Sequence, residues 1–201
     1  LRQTGIAEDD AGAAQRDAAR VGFTSDDVII AVAASGTTPY TLEISGHAKA
    51  AGALTVSLTN NPNTPLGATA DFDIVLASGP EVIAGSTRMG AGTAQKAALG
   101  MLSSLVMTRL GHVVDGYMVS VVADNEKLQQ RAIHMVSRLA DVPGASARAA
   151  LDACDGQVKN AVLVAKGLSA TAAANVLAGA GGNLRNALDL MTPDIDEKEG
   201  G

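Results

Sequence analysis

A chain of 201 residues, 47% hydrophobic and 18% charged, has enough length to bury one ordinary core and a small appendage, which excludes a largely disordered polypeptide. A formal net charge of −6 without a dense Lys/Arg cluster argues against nucleic acid or an anionic membrane as the main partner. The single cysteine, Cys154, excludes an internal disulfide, and with aromatics at 2% the core falls to Ala, Val, Leu, Ile and Met.

In chain order, acidic Glu8-Asp9-Asp10 precede an Ala/Arg-rich run, which predicts a first helix ending at Gly22. The apolar, β-branched run over 28–33 predicts a strand, and it stops abruptly at Ala34-Ser35-Gly36-Thr37-Thr38. Pro39 then opens a helix over 39–51 that closes before Gly52. Strand, small-residue loop and helix in that order put the Ser35, Thr37 and Thr38 hydroxyls at a helix N-terminus, where the dipole favours an anion such as phosphate. Simple capping of the helix is the competing reading of the same residues.

A second strand is predicted over 54–58, followed by the turn-rich Asn60-Asn61-Pro62-Asn63, a short helix over 65–70 and a third strand over 72–76. Short apolar strands alternating with helices predict a parallel sheet with right-handed crossovers. Ligands of such sheets bind beyond the carboxyl ends of the strands, and the loops at Ser35, Asn60 and Ser78 leave that edge. A further Gly/Ser/Thr loop, Gly85 to Thr93, feeds a helix over 94–110 in which Leu99, Leu102, Val106 and Leu110 form a stripe suited to the sheet or a second subunit.

The stretch 117–122 is compatible with strand or loop, and Asp124 or Asn125 caps a helix running to about Leu139. From Ala145 the texture changes to short Ala/Leu-rich helices over 146–154, 157–166, 169–178 and 183–191, a compact helical module before a charged, unpatterned tail at 192–201. His47, His112 and His134 lie far apart and give no metal-ligand spacing. Apolar runs fall short of a membrane span.

Four segments carry a family resemblance: ASGTTPY at 34–40, NNPNT at 60–64, GPEVIAGSTRMGAGTAQK at 79–96 and VVADNEKLQQRA at 121–132. Together they resemble the N-acetylmuramic acid 6-phosphate etherases, from Ala7 to about Leu188, with GSTRM-x-AGTAQK the most specific stretch. The resemblance implies an α/β fold, a three-layer α/β/α parallel sheet of the sugar isomerase (SIS) type over 1–142 that lacks its first strand and loop. A small helical bundle over 143–191 follows. It implies a cytoplasmic, homodimeric carbon–oxygen lyase of peptidoglycan amino-sugar recycling, needing no metal or organic cofactor.

In that chemistry the sugar ring opens to an aldehyde, the C2 proton leaves, and D-lactate departs from C3. Water then adds back to give N-acetylglucosamine 6-phosphate. Elimination beside a carbonyl needs a base at the C–H and an acid at the leaving oxygen. Glu8, in Ala7-Glu8-Asp9, matches the family's catalytic glutamate and is expected as the base; its plainer role would be a helix-start acid. The resemblance assigns Ser35, Gly36, Thr37 and Thr38 to the sugar phosphate.

Ser86, Thr87 and Arg88 are further candidates to hold substrate, with Arg88 facing phosphate, the lactate carboxylate or a structural carboxylate. Glu81 reads as a structural partner for nearby backbone ahead of a catalytic role. The second glutamate belongs to an upstream segment in the family, so this stretch alone is expected to be inactive. Gly90, Ser120 and Gly5-Ile6 depart from the family pattern, where Lys, Asp and Glu-Gly are usual. The rival expectations are a non-catalytic sugar-phosphate regulator of the same fold and an aldose-ketose isomerase.

Overall fold

The computed structural model describes residues 6–191, and the chain falls into two compact units that divide between Met101 and Leu102. The tail expected over 192–201 lies outside the described residues, as does Gly5.

In the first unit two helices, α1 (Ile6–Asp9) and α2 (Ala11–Val21), stand where one was expected. The break falls at Asp10, whose carboxylate accepts the Ala13 N–H at 2.8 Å and so caps α2 instead of extending α1. Gly22 closes α2 in the left-handed conformation at φ 68. Then come β1 (Val28–Val32), α3 (Pro39–Ala50), β2 (Leu54–Thr59), α4 (Pro65–Thr69) and β3 (Phe72–Val75), each boundary within about one residue of its expected position.

The strands pair parallel in the order β1-β2-β3, with Val28 opposite Leu54 and Val56 opposite Phe72. This parallel sheet with flanking helices is the α/β, three-layer class that was expected. Helices α3 and α4 lie on one face, where Leu42 and Leu66 meet Ala31 and Ala33. On the opposite face Val28, Ile30, Leu54, Phe72 and Ile74 remain 38–61% exposed.

The covered face is not uniformly apolar. Thr55, Ser57 and Thr59 of β2 point into it, each at 0% exposure, so their hydroxyls must find partners inside. They do. Asp71 accepts the Thr55 N–H at 2.9 Å and hydroxyl at 2.8 Å, and Lys49 of α3 reaches the same carboxylate at 2.9 Å. Ser57 donates to Asp73, and the bare Cα of Gly67 makes room, since a Cβ there would sit 2.6 Å from the Asp73 carboxylate.

The Thr55 backbone N–H, then Lys49 and the Thr55 hydroxyl, hold the Asp71 carboxyl down at about 2, from an ordinary 3.8. A carboxyl lowered in the folded state stabilises fully above its unfolded value, and that contribution disappears as the pH falls through the folded one. Asp71→Asn is therefore expected to lower the melting temperature at neutral pH and to flatten the loss of stability between roughly pH 4 and pH 2. Thermal melts across that range check it.

Helix α5 (Gly90–Arg109) begins four residues before the expected Ala94, because Glu81 supplies an N-terminal cap from outside the helix. Its stripe of Leu99, Leu102 and Val106 is 38–44% exposed.

In the second unit the end of α5 is followed by a hairpin, β4 (Val113–Val114) and β5 (Tyr117–Met118), which resolves the ambiguous stretch as a two-residue strand running into loop. Asp115 and Gly116 form its turn at φ 47 and 80, the paired positive values that match the twist of antiparallel strands. Five helices follow: α6 (Glu126–Ala140), α7 (Gly144–Asp152), α8 (Val158–Ala165), α9 (Ala170–Gly179) and α10 (Leu184–Asp189). Asn125, not Asp124, caps α6, accepting the Leu128 N–H at 3.0 Å. Helix α6 packs on α7 and α8 around Met135, Val136, Val158, Val162 and Leu163, a core in which alanines such as Ala147 and Ala161 allow close helix approach.

Candidate active site

A parallel sheet delivers every strand's C-terminal loop to one edge, so the loops after β1, β2 and β3 converge there. The first is the Ser35-Gly36-Thr37-Thr38 turn. Gly36 adopts φ 67, its N–H bonds to the Ala33 carbonyl at 3.1 Å, and its own carbonyl receives the Leu66 N–H at 3.1 Å. A Cβ at this position would lie 2.4–2.6 Å from three atoms of Thr64, so both the backbone angle and the space require glycine.

The hydroxyls divide their work. Thr37 donates its N–H (3.2 Å) and its O–H (3.0 Å) to Ser35 Oγ, which leaves the Ser35 proton free to point outward. Thr38 occupies the N-cap position of α3 but makes no side-chain bond to the helix. Capping therefore does not use that hydroxyl. Its availability, the exposed Ser35 O–H and the first-turn N–H groups of α3 together form a donor set at the positive end of a helix dipole. Such a set suits a tetrahedral anion.

After β2, the Asn60 N–H and the Asn61 side-chain N–H both donate to the Ala34 carbonyl at 3.0 Å, anchoring the residue that precedes the turn. After β3 the chain runs through Ser78 and Glu81 to the Gly85–Thr93 loop. Glu81 accepts the N–H of Gly90 at 3.0 Å and of Ala91 at 2.9 Å, and the backbone N–H groups of Ala91, Gly90 and Met89, in that order of weight, hold its carboxyl below the ordinary range. Its role is to start α5, in line with the structural reading. A carboxylate committed to backbone donors is a poor proton acceptor.

Ser86 is half-buried, while Thr87 and Arg88 are exposed. No ion pair joins Arg88 to a described carboxylate, so the structural-carboxylate option for it finds no partner among the described residues. Glu8 is exposed on α1 and hydrogen-bonds to no described residue. Helix α1 packs against α3, and Tyr40 in the first turn of α3 donates to Asp17 of α2 at 2.9 Å.

Two features escaped the sequence. Gln95 of α5 donates to Asn60 Oδ1 at 2.8 Å across 35 positions, and Thr64 walls in Gly36. Neither pair has a local signal, although Asn60 and Gln95 both fall in the segments that carried the resemblance.

Residues 10–105 match the SIS domain family. The chain is 51% identical over 183 residues to an N-acetylmuramic acid 6-phosphate etherase of Deinococcus radiodurans, covering 90% of the chain and 60% of that protein. Proteins of the same name from Streptomyces avermitilis and Edwardsiella ictaluri are 44% and 46% identical, with 90% and 91% of the chain matched to 59% and 61% of their lengths. The chain thus spans about three fifths of the length of these curated relatives.

Proposed function

The chain belongs to the N-acetylmuramic acid 6-phosphate etherase family of SIS-domain proteins, and from that premise we propose that it provides the phosphate-holding part of a lyase acting on N-acetylmuramic acid 6-phosphate. The observation that carries the reading is the Ser35–Thr38 turn, whose uncommitted hydroxyls stand at the N-terminus of α3.

In the proposed reaction the phosphate rests on Ser35, Thr38 and the first-turn N–H groups, with the backbone of Gly36 and Thr37 shaping the turn. Pinning that end fixes the sugar against the catalytic groups and removes much of the entropy of a chance encounter. Glu8 takes the proton from C2 of the opened aldehyde sugar. The C3–O bond breaks, its electron pair leaves with the D-lactate oxygen, and that oxygen takes a proton from a second carboxyl group, a role to which no described residue is assigned. Water then gives its oxygen to C3 while a proton returns to C2, and N-acetylglucosamine 6-phosphate results. The half-buried Ser86 and the exposed Thr87 and Arg88 are assigned to substrate, with the Arg88 guanidinium available to a carboxylate or phosphate.

The proposal includes a homodimer in the cytoplasm, as the resemblance implies. Among the described residues no single helix is long and apolar enough to cross a membrane. Release of D-lactate from N-acetylmuramic acid 6-phosphate, measured with the chain inside a polypeptide of the relatives' full length, tests the reading. Binding of the sugar phosphate without lactate release would leave a regulator, not a lyase.

A further inference from the structure

The side chain of Asn60 ties two parts of the first unit together, the loop after β3 and helix α5. Its amide nitrogen donates to the Leu76 carbonyl at 3.0 Å and to Ser78 Oγ at 3.3 Å, and its oxygen accepts from Gln95 Nε2 at 2.8 Å. Its backbone N–H meanwhile holds the Ala34 carbonyl at 3.0 Å, one residue ahead of Ser35. A single residue after β2 thus grips the turn after β1, the loop after β3 and the second turn of α5. Each of those three pieces carries or positions a candidate substrate contact: Ser35 to Thr38 in the first, and Ser86 to Arg88 between the other two.

Sheet formation does not require this. Asn60 lies beyond the last paired residue of β2, and its carbonyl-to-carbonyl bridging closes no ladder. The loop over 76–89 holds little regular structure and large exposed side chains, Val82 at 91% and Ile83 at 66%, so it has few apolar contacts to fix it. Polar anchors must do so instead, and they sit at its two ends: Asn60 at the Leu76–Ser78 entrance, and Glu81 at the start of α5.

We infer that Asn60 is a positioning residue that sets the phosphate-facing turn and the Ser86–Arg88 loop in a fixed relation, so that both can engage one sugar phosphate at once. The inference rests on the reading of the Ser35 turn as the phosphate site. Its chemical content is the donor pair on Nδ2. An aspartate has the same shape and can still accept from Gln95, yet it turns a carboxylate oxygen toward the Leu76 carbonyl, replacing attraction by repulsion.

The test compares the wild type with Asn60→Asp and with Ser137→Ala, a control that removes a hydrogen bond to Val142 in the second unit. Calorimetric titration with N-acetylglucosamine 6-phosphate is expected to show affinity reduced roughly ten-fold in Asn60→Asp and unchanged in the control. Amide hydrogen exchange is expected to rise together at 35–38 and 78–88 in Asn60→Asp. Wild-type affinity in Asn60→Asp, or faster exchange in only one of the two loops, would overturn the inference. If the wild type itself ignores the sugar phosphate, the phosphate reading fails, and the exchange at the two loops alone then decides whether Asn60 couples them.

Discussion

Gly36→Ala is expected to weaken binding of N-acetylglucosamine 6-phosphate by more than about 30-fold and to destabilise the fold by about 2–3 kcal/mol. Two penalties coincide at this position. The backbone sits at φ 67, which an L side chain adopts only with strain, and the new methyl would collide with Thr64 at 2.4–2.6 Å. Thr64 cannot simply step aside, because its Oγ1 accepts the Gly67 N–H at 3.1 Å and thereby starts α4. The turn must therefore open, and with it the arrangement in which Thr37 donates to Ser35 and leaves two hydroxyl protons facing outward. Calorimetry with the sugar phosphate and a thermal melt check the two parts separately. Near-wild-type affinity in this variant would show that the turn does not hold the phosphate.

The second large effect belongs to Glu8. In a polypeptide of the relatives' full length, Glu8→Gln preserves shape and removes only the ability to accept a proton, so lactate release is expected to fall by roughly 10²–10⁴-fold. The affinity for N-acetylglucosamine 6-phosphate is expected to stay within about three-fold of the wild type, because the phosphate is held elsewhere. Steady-state lactate release together with calorimetry separates the two. A variant that binds poorly and turns over at its residual occupancy would make Glu8 a binding residue and not the base.

Strand and helix positions in the first unit were legible because punctuation coincided with periodicity. Val28 to Val32 ends at Ser-Gly, Pro39 and Pro65 each occupy a first helical turn, and Gly22 and Gly52 follow helices. Asp10 reads as a first-turn acid because an acid there and an acid at an N-cap look alike in sequence. Only the Ala13 N–H bond distinguishes them. The start of α5 is hidden in the sequence for a related reason: its cap, Glu81, lies nine positions ahead of Gly90, beyond any capping pattern.

The site was legible as a set of loops and less so as a mechanism. The Ser35 turn announced itself by strand, small residues and proline, and the structure shows that Thr38 leaves its hydroxyl unused by the helix it precedes. What tightens the site came from distant pairs, Gly36 with Thr64 and Asn60 with Gln95, which the fold alone brings together. The same holds for the polar side chains under α3 and α4. Alternation predicts which residues of β2 share a face, but not that Thr55 is buried against Asp71, just ahead of β3, and Ser57 against Asp73 within it.

The most direct measurement is the position of hydrogen isotope in the product. In the proposed reaction, run in deuterated water with a polypeptide of the relatives' full length, removal and return of the C2 proton are expected to place one solvent deuteron at C2 of N-acetylglucosamine 6-phosphate, with one D-lactate released per sugar. Lactate released with the original hydrogen still at C2 would contradict proton abstraction by a carboxylate and the account built on it.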